Sequence, residues 1–82
     1  SIQKDNLVQD AMKLFIEQGQ ASISMIQRNF RIGYTRAARI IDYLADLGYI
    51  GPYEGSKPRK VYMTLDEYHE IFLENINKKD DV

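Results

Sequence analysis

Three arginines stand within ten residues of this chain, in the stretch FRIGYTRAAR that spans residues 30–39. Arg31, Arg36 and Arg39 share that stretch with a glycine and a tyrosine and with no acid. A guanidinium carries a permanent charge and a planar fork of N–H donors, which matches the acceptors of phosphates and of base edges. The stretch therefore predicts a surface that binds an anion through forked hydrogen bonds.

The formal charge of the chain is only −1 at pH 7, but the basic side chains are concentrated in its middle. Residues 20–60 hold seven basic and three acidic side chains, a net charge of +4, whereas residues 61–82 have a net charge of −4. No acid lies between Glu17 and Asp42. This local field favours a polyanionic partner such as nucleic acid, with an ordinary solvated charged face as the alternative.

Length and composition exclude several classes of protein. With 82 residues, 44% of them hydrophobic, the chain is expected to form one small domain over residues 1–82. It has no apolar run long enough to span a membrane, no signal-peptide pattern at its N-terminus and no cysteine. The single histidine, His69, cannot form a metal site alone, and no Gly-rich phosphate loop is present. We therefore predict no catalytic residue and no metal site.

Helical periodicity predicts two helices before the arginine-rich stretch. The first runs from about Asp5 to Gln18 and ends at Gly19, and the second begins at Ser24, which has capping-box spacing to Gln27. Gly33 is expected to take a positive φ in the tight turn that follows. The residues predicted to face the core are Leu7, Val8, Ala11, Leu14, Phe15, Met25, Ile26 and Phe30.

A third helix is predicted from Tyr34 or Thr35 to about Leu47, closed by Gly48. Its apolar stripe is Ala37, Ile40, Ile41, Leu44 and Leu47, and its polar side carries Arg36, Arg39, Asp42, Tyr43 and Asp46. Two helices joined by a Gly-containing turn, with basic groups at the start of the second, are typical of a helix-turn-helix. The alternative is an amphipathic helical hairpin whose arginines keep it soluble.

The segment YIGPYEGSKPRKVYM, residues 49–63, predicts a β-hairpin with a basic tip. Lys57, Arg59 and Lys60 are expected to project from a loop stiffened by Pro58 and to lie along a phosphate backbone. The alternative is that they protect an exposed sheet edge.

A fourth helix is predicted after the hairpin. Thr64 and Glu67 have capping-box spacing, and Met63 and Tyr68 are placed for a hydrophobic staple. The stripe would be Leu65, Tyr68, Phe72 and Ile76, and the final NKKDDV is expected to fray. The predicted class is α+β, mainly α: a winged helix-turn-helix of three helices, a β-hairpin wing and a C-terminal helix.

Two longer motifs make the prediction more specific. QRNFRIGYTRAARIID and GPYEGSKPR, within residues 21–63, resemble the γ domain at the C-terminus of the FtsK/SpoIIIE family of bacterial DNA translocases. The resemblance implies a domain that hydrolyses no ATP and binds double-stranded DNA at short, skewed, G-rich sequences, thereby orienting a hexameric motor during chromosome segregation. ATP and Mg²⁺ would be cofactors of the motor domain only.

The resemblance also implies partners, a location and roles for individual residues. Partners would be the chain's own motor domain and, in some members, a Xer-type recombinase; the location would be the cytoplasmic part of a membrane-anchored protein at the division septum. The isolated domain is expected to be monomeric. The family's base readers correspond to Thr35, Arg36, Arg39 and Asp42, and its wing contacts to Lys57 and Arg59.

The residues themselves add to these roles. Arg39 is suited to the O6 and N7 acceptors of guanine, and Asp42, one turn on, would either hold that arginine or accept from a cytosine amine. Thr35 stands where the proteobacterial FtsK form has asparagine, and it could instead cap the helix. The residues expected to contact phosphate are Arg28, Arg31, Lys57, Arg59 and Lys60.

Two other functions share the same predicted fold. A free-standing winged-helix transcription regulator would have the same arginines and, usually, a dimerisation helix. A winged helix used for protein contact would instead use Tyr43, Tyr49 and Tyr53 as anchors.

Overall fold

The apolar stripes of the sequence form three helices that pack around one core. The computed structural model describes residues 5–73, with α1 at Leu7–Gln18, α2 at Ile23–Phe30 and α3 at Tyr34–Asp46. A short α4 at Leu65–Tyr68 continues into a π-helical turn at His69–Leu73. Helix α3 contacts α1 and α2, and α4 contacts α1. The predicted order of four helices is therefore confirmed.

The core confirms most of the predicted stripes. Its buried residues are Val8, Ala11, Met12, Phe15, Ala21, Met25, Ile26, Ala37, Ile40, Ile41, Leu44, Ile50, Met63 and Tyr68. Met12 was not predicted; it is buried because α1 contacts both α3 and α4, which widens its covered face. Leu47 and Leu65 were predicted to be buried but are exposed, because they lie just after α3 and at the first position of α4.

The predicted start of α2 is wrong, whereas α3 begins at Tyr34 as predicted but is not capped by Thr35. Helix α2 is capped by Ser22, whose hydroxyl accepts a hydrogen bond from the Met25 N–H at 3.2 Å, while Ser24 lies inside the helix. Helix α3 is preceded by Gly33 in an extended conformation, so Thr35 is the second helical residue and not the cap. Because the cap lies two residues before the predicted one, the loop between α1 and α2 is shorter than expected.

The turn between α2 and α3 also differs from the prediction. Gly33 has φ −75°, and the left-handed residue is Arg31, with φ 53° and ψ 49°. The Arg31 N–H donates to the carbonyl of Gln27 at 2.9 Å, which closes the last turn of α2. By contrast, Gly19 and Gly48 have the positive φ expected after α1 and α3.

The chain after α3 doubles back as a loop over residues 50–61, which we call the bridged loop. Isolated antiparallel bridges pair Ile50 with Val61 and Glu54 with Lys57, and a third joins Arg59 to Ala21, between α1 and α2. Within residues 5–73 no strand is formed, so the described part of the molecule is mainly helical and the predicted β-hairpin wing is not confirmed. The Arg59–Ala21 bridge nevertheless fixes the loop beside the start of α2.

The start of α4 agrees with the prediction. Thr64 accepts from the Glu67 N–H at 3.1 Å, and the Glu67 carboxylate accepts from the Thr64 N–H at 2.8 Å. Met63 and Tyr68, on either side of this capping box, are both buried. Ile76 and the NKKDDV segment lie outside the described residues. Over residues 5–73 no helix has the length and apolar character needed to cross a membrane.

Candidate nucleic-acid interface

The exposed face of α3 carries three of the four predicted base readers. At about 100° per residue, Thr35, Arg39 and Asp42 fall within about 60° of one another on the helix surface. Ala37, Ile40, Ile41 and Leu44, on the opposite side, are buried against the rest of the domain. The core contacts of α3 therefore hold these three side chains outward, where all three are exposed.

Asp42 does not pair with Arg39 as one of the predicted alternatives required. Its Oδ1 lies 3.7 Å from Nη2 of Arg59, which comes from the bridged loop. Among residues 5–73, ion pairs join only Arg59 to Asp42 and Arg36 to Asp5. Arg39 thus has an exposed guanidinium that no acid in the described part of the chain neutralises.

Arg36, the fourth predicted reader, is held by the segment before α1. Its Nε donates to Oδ2 of Asp5 at 3.0 Å and its Nη2 donates to Oδ1 at 2.8 Å, a bidentate pair. Nη2 also lies 3.3 Å from Oδ1 of Asn6. No local sequence pattern predicts this pair, because Asp5 lies 31 residues away from Arg36.

The environment of Asp5 stabilises its charged form. The hydrogen bonds from Arg36 lower the pKa of the Asp5 carboxyl below its ordinary value of 3.8, although burial acts in the opposite direction. The Leu7 N–H donates to Oδ1 at 3.0 Å and contributes to the lowering. Asp5, one residue before the N-cap Asn6, therefore satisfies the first N–H of α1 and neutralises Arg36 with the same carboxylate.

Three of the predicted phosphate contacts line one cleft of about 400 Å³ between α2 and the bridged loop. Arg28 comes from the last turn of α2, and Lys57 and Arg59 come from the loop. Ser22 and the exposed Tyr53 also line it. The fold thus brings Arg28 together with Lys57 and Arg59, which lie 29 and 31 positions further along the chain, in one cationic cleft.

The five predicted phosphate contacts differ in exposure. Arg28, Arg31, Lys57 and Lys60 are exposed, but only 12% of the Arg59 side chain is accessible. The expectation that Arg59 projects from the loop is therefore wrong, because its bridge to Ala21 and its ion pair to Asp42 hold it against the domain. Arg31 and Lys60 do not line the cationic cleft.

The three tyrosines of the protein-contact alternative do not form one surface. Tyr53 is 74% exposed, whereas Tyr43 and Tyr49 are half-buried. Tyr49 packs edge-on against Phe72, with 6.4 Å between ring centroids. Tyr43 and Tyr49 line a separate groove of about 360 Å³, which they share with Leu47 and Phe72.

His69 is the single histidine of the chain. Its side chain is exposed, and its ring centroid lies 6.0 Å from that of Tyr68. Across residues 5–73, no three His, Cys, Asp or Glu side chains come together in a way that could hold a metal ion.

Known proteins share most of this sequence. Residues 2–64 match the family described as the FtsK gamma domain. DNA translocase SpoIIIE of Bacillus subtilis is 52% identical over 67 residues, which cover 82% of this chain and 8% of that protein. DNA translocase FtsK of Oceanobacillus iheyensis is 63% identical over 57 residues, 70% of this chain and 7% of that protein.

A further relative has the same relation to the chain. DNA translocase FtsK of Halalkalibacterium halodurans is 63% identical over 63 residues, 77% of this chain and 8% of that protein. The chain thus spans less than a tenth of the length of each of these relatives. The match over residues 2–64 confirms the resemblance: this chain belongs to the FtsK gamma domain family of the FtsK/SpoIIIE DNA translocases.

Proposed function

We propose that this domain binds double-stranded DNA sequence-specifically, with α3 in the major groove. The observation that carries the proposal is the exposed Arg39 on the outer face of α3, which no acid among residues 5–73 neutralises. Asp42 on the same face is paired with Arg59, one of the three cationic side chains that line the cleft. A helix flanked by cationic groups on neighbouring elements is the arrangement in which a helix-turn-helix reads bases while its surroundings contact phosphate.

The reading groups have separate tasks in this proposal. Arg39 donates a fork to O6 and N7 of a guanine, which suits a G-rich site. Asp42, which is paired with Arg59, accepts a hydrogen bond from a cytosine amine. Thr35 contacts the base nearest the start of α3. Arg36 reads a base only if its pair with Asp5 opens.

The positioning groups act on the DNA backbone. Arg28 and Lys57 approach one phosphate from the two sides of the cationic cleft, and the bridged loop acts as the wing. Arg31 and Lys60, both exposed, contact flanking phosphates. Arg59 contributes charge to the cleft from its position against the domain.

In the parent protein, binding at a short skewed sequence would orient a hexameric translocase on the chromosome. The relatives' description as DNA translocases supports this role. ATP and Mg²⁺ would act in the motor domain, and the domain would lie on the cytoplasmic side of a membrane-anchored protein at the septum, where a Xer-type recombinase is a second partner.

Selection of bound duplexes from a random pool at fixed salt tests the proposal. A G-rich, non-palindromic motif is expected, because a monomeric domain has no reason to prefer two-fold symmetry. A palindrome would favour a dimeric transcription regulator, and no enrichment would contradict sequence-specific binding.

Arg39→Ala tests the reading role. We expect a loss of about 1–3 kcal/mol on the selected site and a much smaller loss on a scrambled duplex. Arg39→Lys is the matched control: it keeps the charge but lacks the planar fork, so it should retain affinity for scrambled DNA and lose discrimination. Equal losses on both duplexes would show that Arg39 contacts phosphate only.

A further inference from the structure

We propose that Asp5 is a positioning residue, which keeps Arg36 out of the DNA interface by holding its guanidinium against the start of α1. The inference rests on the proposed DNA binding and concerns the predicted arginine reader that is paired with an acid. Both carboxylate oxygens of Asp5 accept hydrogen bonds from Arg36, at 2.8 and 3.0 Å.

The position of Arg36 on α3 fits this role. It lies about 60° around the helix from Arg39, toward the edge of the exposed face, at about 100° per residue. From this edge its side chain reaches the N-terminus of α1 and not the centre of the face. Its side chain is 47% exposed, so solvent and DNA would reach it if the carboxylate released it.

Asp5 is better fixed than an ordinary surface acid. Only 12% of its side chain is exposed, and its Oδ1 also accepts from the Leu7 N–H at 3.0 Å. Opening the pair would leave this half-buried carboxylate without its charged partner. A phosphate that competes for Arg36 must therefore offset the loss at Asp5.

Holding Arg36 in this way would lower affinity and leave discrimination unchanged. A free arginine at the edge of the interface attracts the phosphates of any duplex equally, which raises binding without information about bases. Neutralising it lowers the affinity for every duplex by about the same factor. The discrimination between sequences is then left to the side chains that contact bases.

The test is Asp5→Asn, in the whole domain, titrated against the selected duplex and a scrambled one over a range of salt. Asparagine keeps an oxygen that can accept from the Leu7 N–H and removes the charge that holds Arg36. We expect the salt slope to steepen by about 0.9 unit, and both duplexes to bind about eightfold more tightly at 0.1 M salt. The matched control is Asp10→Asn, the same charge change at an exposed position of α1.

Arg36→Ala, alone and combined with Asp5→Asn, completes a double-mutant cycle. In the natural background it should weaken binding to both duplexes by the same factor, because the Asp5 charge is left unpaired, and in the Asp5→Asn background it should cancel the gain. If Asp5→Asn and Asp10→Asn have equal effects, the inference is overturned while the proposed function stands. The same holds if Arg36→Ala alone weakens the selected complex more than the scrambled one, because Arg36 would then read a base. If the natural domain binds neither duplex, the proposed function fails and the inference fails with it.

Discussion

Arg31→Gly should stabilise the domain and weaken its binding to DNA at the same time. Among residues 5–73, Arg31 is the one non-glycine residue with a positive φ, at 53°. It occupies the position after α2 where glycine is usual, and its side chain is exposed. We infer that the side chain is kept at this position for its charge, because the local backbone would favour glycine.

The magnitude follows from two opposing effects. A side chain in the left-handed region costs about 1–2 kcal/mol relative to the right-handed one, which Arg31→Gly removes. Glycine loses more backbone freedom on folding, which costs about 0.5–1 kcal/mol. The net gain is about 0.5–1 kcal/mol of unfolding free energy, and a domain of this size gains about 4–8 °C in Tm per kcal/mol. The Tm of Arg31→Gly should therefore rise by about 2–8 °C.

Thermal unfolding followed by circular dichroism, together with a salt titration of DNA binding, measures both effects. Arg31→Ala is the matched control, because alanine loses the charge but keeps the left-handed cost. Its Tm should stay close to that of the natural domain. Both variants should lose about 0.9 unit of salt slope if Arg31 contacts one phosphate.

Two results would refute this reasoning. A fall in Tm for Arg31→Gly would show that the arginine side chain stabilises the turn by more than its backbone costs. Unchanged DNA binding in both variants would show that Arg31 lies outside the interface, and would leave the left-handed residue at this position without a functional reason.

Two further predictions concern the start of α2 and the Asp5–Arg36 pair. Ser22→Ala should lower the free energy of unfolding by about 1 kcal/mol, because the Met25 N–H loses its acceptor. The control Ser24→Ala should change it by less than about 0.5 kcal/mol. Equal effects in thermal melts would contradict the assignment of Ser22 as the cap. Because Arg36 holds the pKa of Asp5 below 3.8, the pair's contribution should be complete above that pH and lost as the pH falls through the lowered pKa. The Tm difference between the natural domain and Asp5→Asn should therefore shrink in acid, and a constant difference down to pH about 2 would argue against the pair.

Features that depend on neighbours in the chain were predictable from the sequence. The apolar spacing located three helices, Gly19 and Gly48 marked the ends of two of them, and the pairing of Thr64 with Glu67 located the start of a fourth. The concentration of basic residues and the two motifs were sufficient to identify the family. Each of these signals operates over one or two helical turns, or is read directly from the order of residues.

The state of each arginine was decided by tertiary structure. Arg36 and Arg39 stand one turn apart in similar surroundings, and the sequence assigned them the same role. Only the packing of α1 against α3 brings Asp5 to Arg36, while Arg39 has no acidic partner among residues 5–73. An ion pair between residues 31 positions apart depends on how the helices are oriented, and no local pattern encodes that orientation.

The same reason explains the remaining differences. Arg59 was predicted to project, but the bridge to Ala21 and the pair with Asp42 hold it against the domain. The left-handed residue fell on Arg31 and not on Gly33, because the direction in which α3 must leave α2 to cover the core decides where the turn tightens. The sequence by itself thus determined which residues are charged and which segments are helical, while the packing of those segments decided which charges are free to bind.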